Sequence, residues 1–196
     1  MGAGGGKATG YRVCMTLARW ASSHAEHLLA SLGTRWAHVQ VVAEQARRIA
    51  GVLPESERDT LIAAAWLHDI GYAPALAITG LHPLDGARHL ESIGAGRRLC
   101  GLVAHHSGAR FEAEERGLAA ELAAFEREDS PVMDALVYAD MTTGPAGEPV
   151  DFEDRIAEIL ERYPADDPVH RAISRSRPVL AAAVERTARQ LAAQPM

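Results

Sequence analysis

The sequence predicts an all-α protein, a bundle of consecutive helices. Three observations carry this. Apolar residues make up 47% of the 196 residues with only 5% aromatic, and Ala and Leu, which rank highest in helix propensity, dominate them. Apolar positions recur every three or four residues through most of the chain, the spacing of one helix face. No segment alternates apolar and polar residues as a half-buried strand does, and no internal repeat is present.

Residues 1–14 read as a flexible Gly-rich tail, with Met15 as a possible second start, and residues 15–196 as a single helical domain. Gly4-Gly5-Gly6-Lys7 lacks the spacing and the flanking strand of a phosphate loop. The first helix is expected over about 15–32. The second, about 35–51, carries His38 and sets Val39, Val42, Ala43, Ala46 and Ile49 at helical spacing. The third follows Pro54 and runs through Leu61–Leu67 into His68-Asp69, with Gly71 where a C-cap is expected. Pro83 opens the next helix directly after His82, a favoured place for proline.

A helix over about 96–106 ends at His105-His106, with Gly108 as its stop. The Glu-, Arg- and Ala-rich segment 109–128 reads as a solvated surface helix. Ser130-Pro131 supplies an N-cap and first position for a helix reaching Asp140, which Thr143-Gly144-Pro145 ends. Two helices follow. The first, about 151–163, has Phe152, Ile156, Ile159 and Leu160 on one stripe, and the second, about 168–193, is expected to kink or break at Pro178.

Composition narrows the function. A net charge of −6 argues against binding a nucleic-acid polymer, yet leaves room for a small anion, because a local metal outweighs global charge. The one lysine, Lys7, lies in the tail, against nineteen arginines. A phosphate contact in the folded body therefore falls to Arg, backbone N–H, hydroxyls or metal. Cys14 and Cys100 form neither a disulfide framework nor a Cys-x-x-Cys site. With no membrane span and no secretory h-region, the expectation is a cytoplasmic protein with no membrane partner.

The chemistry lies in one constellation. His38, His68, Asp69, His82, His105, His106 and Asp140 are all metal-ligand types, several beside apolar helical stretches. Imidazole and carboxylate together suit divalent transition metals, Mn, Fe, Ni, Co or Zn. A carboxylate can hold two ions, one on each oxygen, and Asp69 is the natural bridge. One ion would take His38, His68, Asp69 and Asp140; the second would take Asp69, His82, His105 and His106. Two such ions share a hydroxide and clamp a phosphoryl group. Arg35, one turn before His38, is the expected contact for substrate phosphate, and Arg110 a second. Tyr72 is expected to bond substrate or pack under the site, and Thr142 and Thr143 to orient ligands. His24, His27, His89 and His170 read as surface or satisfied core histidines.

On these residues the chain resembles the HD-domain superfamily of metal-dependent phosphohydrolases. The resemblance rests on His38, the pair His68-Asp69 and the distal Asp140, and covers most of residues 20–145. His68-Asp69-Ile70-Gly71, His82-Pro83-Leu84-Asp85-Gly86 and His105-His106 look like the extended set of the subgroup acting on cyclic dinucleotides, in which the later histidines hold the second metal. The departures are specific. Tyr72 stands where that subgroup has Lys, Ser107 where it has Glu, and its Gly-Tyr-Pro signature is absent. Thr34 stands where trinuclear members carry Glu. They speak against a third metal and against a cyclic dinucleotide.

The resemblance implies a helical bundle with two divalent ions and assigns no substrate; the leading expectation is a phosphohydrolase acting on a small phosphate ester, a nucleotide first among them. Catalysis would rest on Asp69 and Arg35. Two other readings share the ligand set: a diiron oxygenase of the same fold cleaving a C–C or C–P bond, and a non-catalytic domain sensing metal or nucleotide.

Overall fold

The computed structural model describes residues 16–194; the Gly-rich segment with Lys7, Cys14 and Met15 lies outside them. The described residues run through α1 (Leu17–Leu29), α2 (Thr34–Ile49), α3 (Glu55–Leu67), α4 (His82–Ser92) and α5 (Arg97–His105). They continue through α6 (Ala109–Glu115), α7 (Ala119–Leu122), α8 (Pro131–Met141), α9 (Phe152–Arg162) and α10 (Pro168–Ala192). The one β-type pairing among them is a single bridge between Thr143 and Pro149. The all-α prediction holds. No helix among the described residues is long and apolar enough to cross a membrane.

Local sequence sets the helix starts. Thr16 accepts from the Arg19 amide, Ser130 from Met133 and Asp167 from Val169, each satisfying an amide that the helix cannot. Pro83, Pro131 and Pro168 occupy first-turn positions, where no hydrogen bond is lost. Asp59 of α3 accepts from the amides of Leu17 and Ala18 at 2.8 and 3.2 Å, tying α1 to α3.

Two helices form the centre. In α3, Leu61, Ala63, Ala64, Ala65 and Leu67 are all buried, so the second half of the helix is covered on most of its circumference. Its alanines let α1, α2, α5 and α8 pack closely around it. In α8, Val132, Ala135, Leu136, Val137 and Ala139 are buried in the same way. Each large side chain withdrawn here, such as Leu67 or Leu136, contributes about 1.5–3 kcal/mol. His68-Asp69 and Asp140 therefore stand at the ends of the most enclosed helices.

Three expectations are corrected. Gly71 is not a C-cap: α3 ends at Leu67, and Gly71 sits within a 3₁₀ turn over Ile70–Tyr72. Its role is close approach, since a Cβ there would lie 2.0 Å from the His82 carbonyl oxygen. Segment 109–128 is two short helices, α6 and α7, parted at Gly117 (φ +72°), and it buries Ala113, Leu122 and Phe125 rather than standing in solvent. Pro178 does not interrupt α10, which runs 25 residues through it. Packing of α10 on α6, α8 and α9 outweighs the roughly 3 kcal/mol an interior proline costs.

Candidate metal centre

The C-terminal ends of α3, α5 and α8 converge, and the carbonyl ends of helices carry partial negative charge that favours cations. His68 is the C-cap of α3 and His106 that of α5, while Asp140 lies in the last turn of α8. His38 projects from the first half of α2, and His82 opens α4. His38, His68, Asp69, His106 and Asp140 are buried, and His82 is half-buried.

Asp69 stands at the middle with one oxygen toward each side. Its Oδ2 lies 3.4 Å from His68 Nε2 and 4.0 Å from His38 Nε2. Its Oδ1 lies 3.1 Å from His82 Nε2 and 3.9 Å from His106 Nε2. His38–His68–Asp69 and Asp69–His82–His106 are thus two groups with the spacing of metal ligands, sharing Asp69. Asp140 Oδ1 joins the first, 3.1 Å from His38 Nε2 and 3.9 Å from His68 Nε2.

The outer ring atoms fix the tautomers. His38 Nδ1 bonds the Gly144 carbonyl at 2.9 Å, His68 Nδ1 the Ala65 carbonyl at 2.8 Å and His106 Nδ1 the Val103 carbonyl at 2.7 Å. A carbonyl only accepts, so each Nδ1 carries a proton and each Nε2 is the ring atom turned inward, the one that would coordinate an ion on giving up any proton it holds. His82 Nε2 and His106 Nε2 stand 3.3 Å apart. His68 Nε2 is buried with no hydrogen-bond partner among the described residues. An orphaned buried nitrogen beside two carboxylates is what a metal ligand looks like without its ion. The donor set fits a divalent metal.

Charged groups in the cluster act on one another at close range. Burial opposes ionisation of Asp69, but Arg35 and then His68 overcome it and hold the carboxyl well below its ordinary range. Burial likewise opposes a charge on His68, and Asp69 followed by Asp140 reverses the balance, raising it to about 9. For His106 burial acts with the neighbouring His68 and His82, and its pKa falls to about 3. Asp140 is held low against its burial by the His38 bond and by His68.

Arg35 stands where the sequence places it, on the cleft above the cluster. Its Nη1 donates to Asp69 Oδ2 at 2.5 Å and its guanidinium lies 4.1 Å from the Tyr72 ring centre. Tyr72 in turn stacks on His82, ring centres 4.0 Å apart. Tyr72 therefore braces both an arginine and a cluster histidine.

His105 is corrected. Consecutive residues on a helix point about 100° apart, so only one of His105-His106 can face the cluster. Ser107, in the left-handed region at φ +46°, ψ +37°, turns the chain directly after His106. Its hydroxyl donates to Asp140 Oδ2, offsetting the strain. His105 turns away, its Nε2 bonded to the Phe125 carbonyl at 2.9 Å. Replacing His105 with Ala is expected to leave metal content unchanged and cost about 1–3 kcal/mol of stability, whereas His106→Ala should lose metal. Elemental analysis of both variants checks this.

Other residues are also placed elsewhere. Thr142 and Thr143 do not orient ligands: their hydroxyls donate back into α8, to the Tyr138 and Ala139 carbonyls. The orienting group nearby is the Gly144 carbonyl. Arg110 stacks on Phe111, ring centre 4.5 Å away, and lines clefts around His105 instead. His24 and His89 pair by Nε2–Nε2 at 2.8 Å with stacked rings, His170 Nδ1 bonds the Tyr163 carbonyl, and His27 is exposed.

A cleft of about 580 Å³, including its open mouth, lies over the cluster. One side is Arg35, Asp69, Tyr72, His82 and His106; the other comes from α9 and α10, with Arg155, Ile159, Arg162 and Ile173. Neither Arg155 nor Arg162 was expected here. The sequence does hold a signal for Arg155, which falls between Phe152 and Ile159 on the apolar stripe of α9.

A family model described as HD domain matches residues 35–166, about two thirds of the chain. The chain belongs to the HD domain family. The match spans every residue of the cluster and ends just before α10. Searches of curated proteins and of solved structures found no match.

Proposed function

We propose that this HD protein is a metal-dependent phosphohydrolase acting on a small phosphate ester, with nucleotides the first class to test. One observation carries the reading: the two oxygens of Asp69 face two different imidazole pairs. That arrangement suits two divalent ions, one held by His38, His68, Asp69 and Asp140, the other by Asp69, His82 and His106. When bound, such ions polarise a phosphoryl oxygen and make water nucleophilic at neutral pH.

The chain's own groups have separate tasks. The carbonyls of Ala65, Val103 and Gly144 hold the imidazoles in one tautomer and orientation. Ser107 fixes Asp140. Arg35, braced on Tyr72 and Asp69, is a permanent positive charge at the cleft and would offset charge building on phosphoryl oxygens. Ile159, Val169 and Ile173 on the cleft would exclude water around the substrate body.

The deciding experiment is anaerobic purification with elemental analysis, followed by a phosphate-release screen over nucleotides. We expect about two divalent ions per chain and phosphate release from at least one nucleotide. Iron with O₂ consumption and no phosphate release would overturn the reading in favour of a diiron oxygenase.

Metal removal gives a second check. A ligand that binds only the folded state stabilises it by about 2.7 kcal/mol at a hundred times its dissociation constant. Chelation is therefore expected to lower the melting temperature by several degrees, and Mn²⁺ to restore it. A melting temperature indifferent to both would count against a resident metal.

A further inference from the structure

We propose that Arg155, supported by Arg162, forms an anion subsite distinct from the His/Asp cluster, so that the substrate carries a second anionic group. The inference rests on the phosphohydrolase reading only for the identity of the first group, a phosphate at the cluster.

Arg155 is an unusual residue for its position. It lies on the apolar stripe of α9, and its side chain is 7% exposed. A guanidinium does not shed its charge in a protein, so burying it demands acceptors. The fold supplies one: Arg155 Nη1 donates to Glu158. That carboxylate also accepts from Arg162 Nε and Nη2. Two positive charges therefore share one negative charge at the edge of the cleft. Arg155 Nε is buried and has no partner among the described residues.

Arg35 is in a different state. Its Nη1 is committed to Asp69, and its plane to Tyr72. Of the three arginines on the cleft, Arg155 is the one whose buried N–H lacks an acceptor. Buried polar groups in native proteins are almost always paired, and an exception beside a cleft points to a partner that arrives with the ligand. An anion does this best, because it meets both the open N–H and the surplus charge. Ile159, Val169 and Ile173 line the same side, where they can cover the carbon body joining two anionic ends.

The ligand class is thus a small organic phosphate with a further phosphate or carboxylate. The test is calorimetric binding to the metal-loaded full chain, using two matched pairs: adenosine 5′-monophosphate with adenosine 3′,5′-bisphosphate, and ethyl phosphate with 2-phosphoglycolate. The second anionic group is expected to tighten binding about tenfold in at least one pair, the worth of a charge-assisted hydrogen bond.

Arg155→Met, which suits the apolar stripe, should remove that advantage and change binding of the singly anionic member by less than about threefold. Arg155→Lys should retain part of it. Where Arg155→Met does not fold, Arg162→Met, on a more exposed side chain, should reduce the same preference. No preference in either pair, or a preference that survives these variants, overturns the subsite. Phosphate release is scored separately: tight, arginine-dependent binding without release would keep the subsite and remove the hydrolase reading.

Discussion

Asp69→Asn is expected to bring metal content to background and to lower phosphate release by at least about 10³-fold, because the loss reaches both ligand groups at once. Every other cluster residue belongs to one group; Asp69 belongs to both. His82→Ala provides the contrast. It removes a ligand from the second group alone, so about half of the metal should remain. The substitution of Asp69 also has a structural consequence. Its carboxylate faces Arg35 at 2.5 Å and the His68 imidazole at 3.4 Å. A neutral amide removes the nearest counter-ion of both and leaves Asp140 as the remaining carboxylate beside them; breaking a buried pair in this way costs up to about 3–5 kcal/mol. Elemental analysis and turnover are therefore read well below the variant's own melting temperature. An Asp69→Asn protein that keeps wild-type metal content would sink the shared-ligand assignment.

The contrast between Asp69 and His105 shows what a sequence of this kind makes legible. His38, His68-Asp69, His82, His106 and Asp140 can be gathered from residue type and spacing, because each sits at a helix position that local rules already mark. His68 follows an apolar run, His82 precedes a proline, and Asp140 ends a capped helix. Choosing between His105 and His106 is another matter. It depends on how the end of α5 is rotated against its neighbours, where His105 meets the Phe125 carbonyl and His106 the cluster, and no residue type announces that rotation.

Arg155 was obscured for a similar reason. On a helical wheel an arginine beside Phe152 and Ile159 looks like the edge of a stripe, and only the packing of α9 on α10 and α8 makes it buried. The helices themselves were readable to within a few residues wherever a proline or a capping side chain marked the start. They were misread where tertiary contact decides: at Gly117, which splits the segment after α5, and at Pro178, which α10 absorbs.

Gly71→Ala is expected to damage the cluster from outside it. Gly71 carries no chemistry, yet the start of α4 rests directly on it. An added Cβ would lie 2.0 Å from the His82 carbonyl oxygen and 2.8 Å from the Gly86 amide nitrogen. Both are backbone atoms, so no rotamer change relieves the clash, and the first turn of α4 has to move. His82 opens that turn, and its Nε2 sits 3.1 Å from Asp69 Oδ1. A ligand atom tolerates little displacement before coordination weakens. The variant should therefore resemble His82→Ala, with about half the metal and a strong loss of turnover. It should also lose about 1–3 kcal/mol of stability, as overpacking of a filled interior does. Gly96→Ala is the matched control: a Cβ there meets nothing within 4 Å, so metal content and melting temperature should stay close to the parent's. Elemental analysis and thermal unfolding of the two alanine variants decide the matter. Equal metal content in both would mean that His82 is positioned by its own stacking on Tyr72 rather than by the approach of α4 to Gly71.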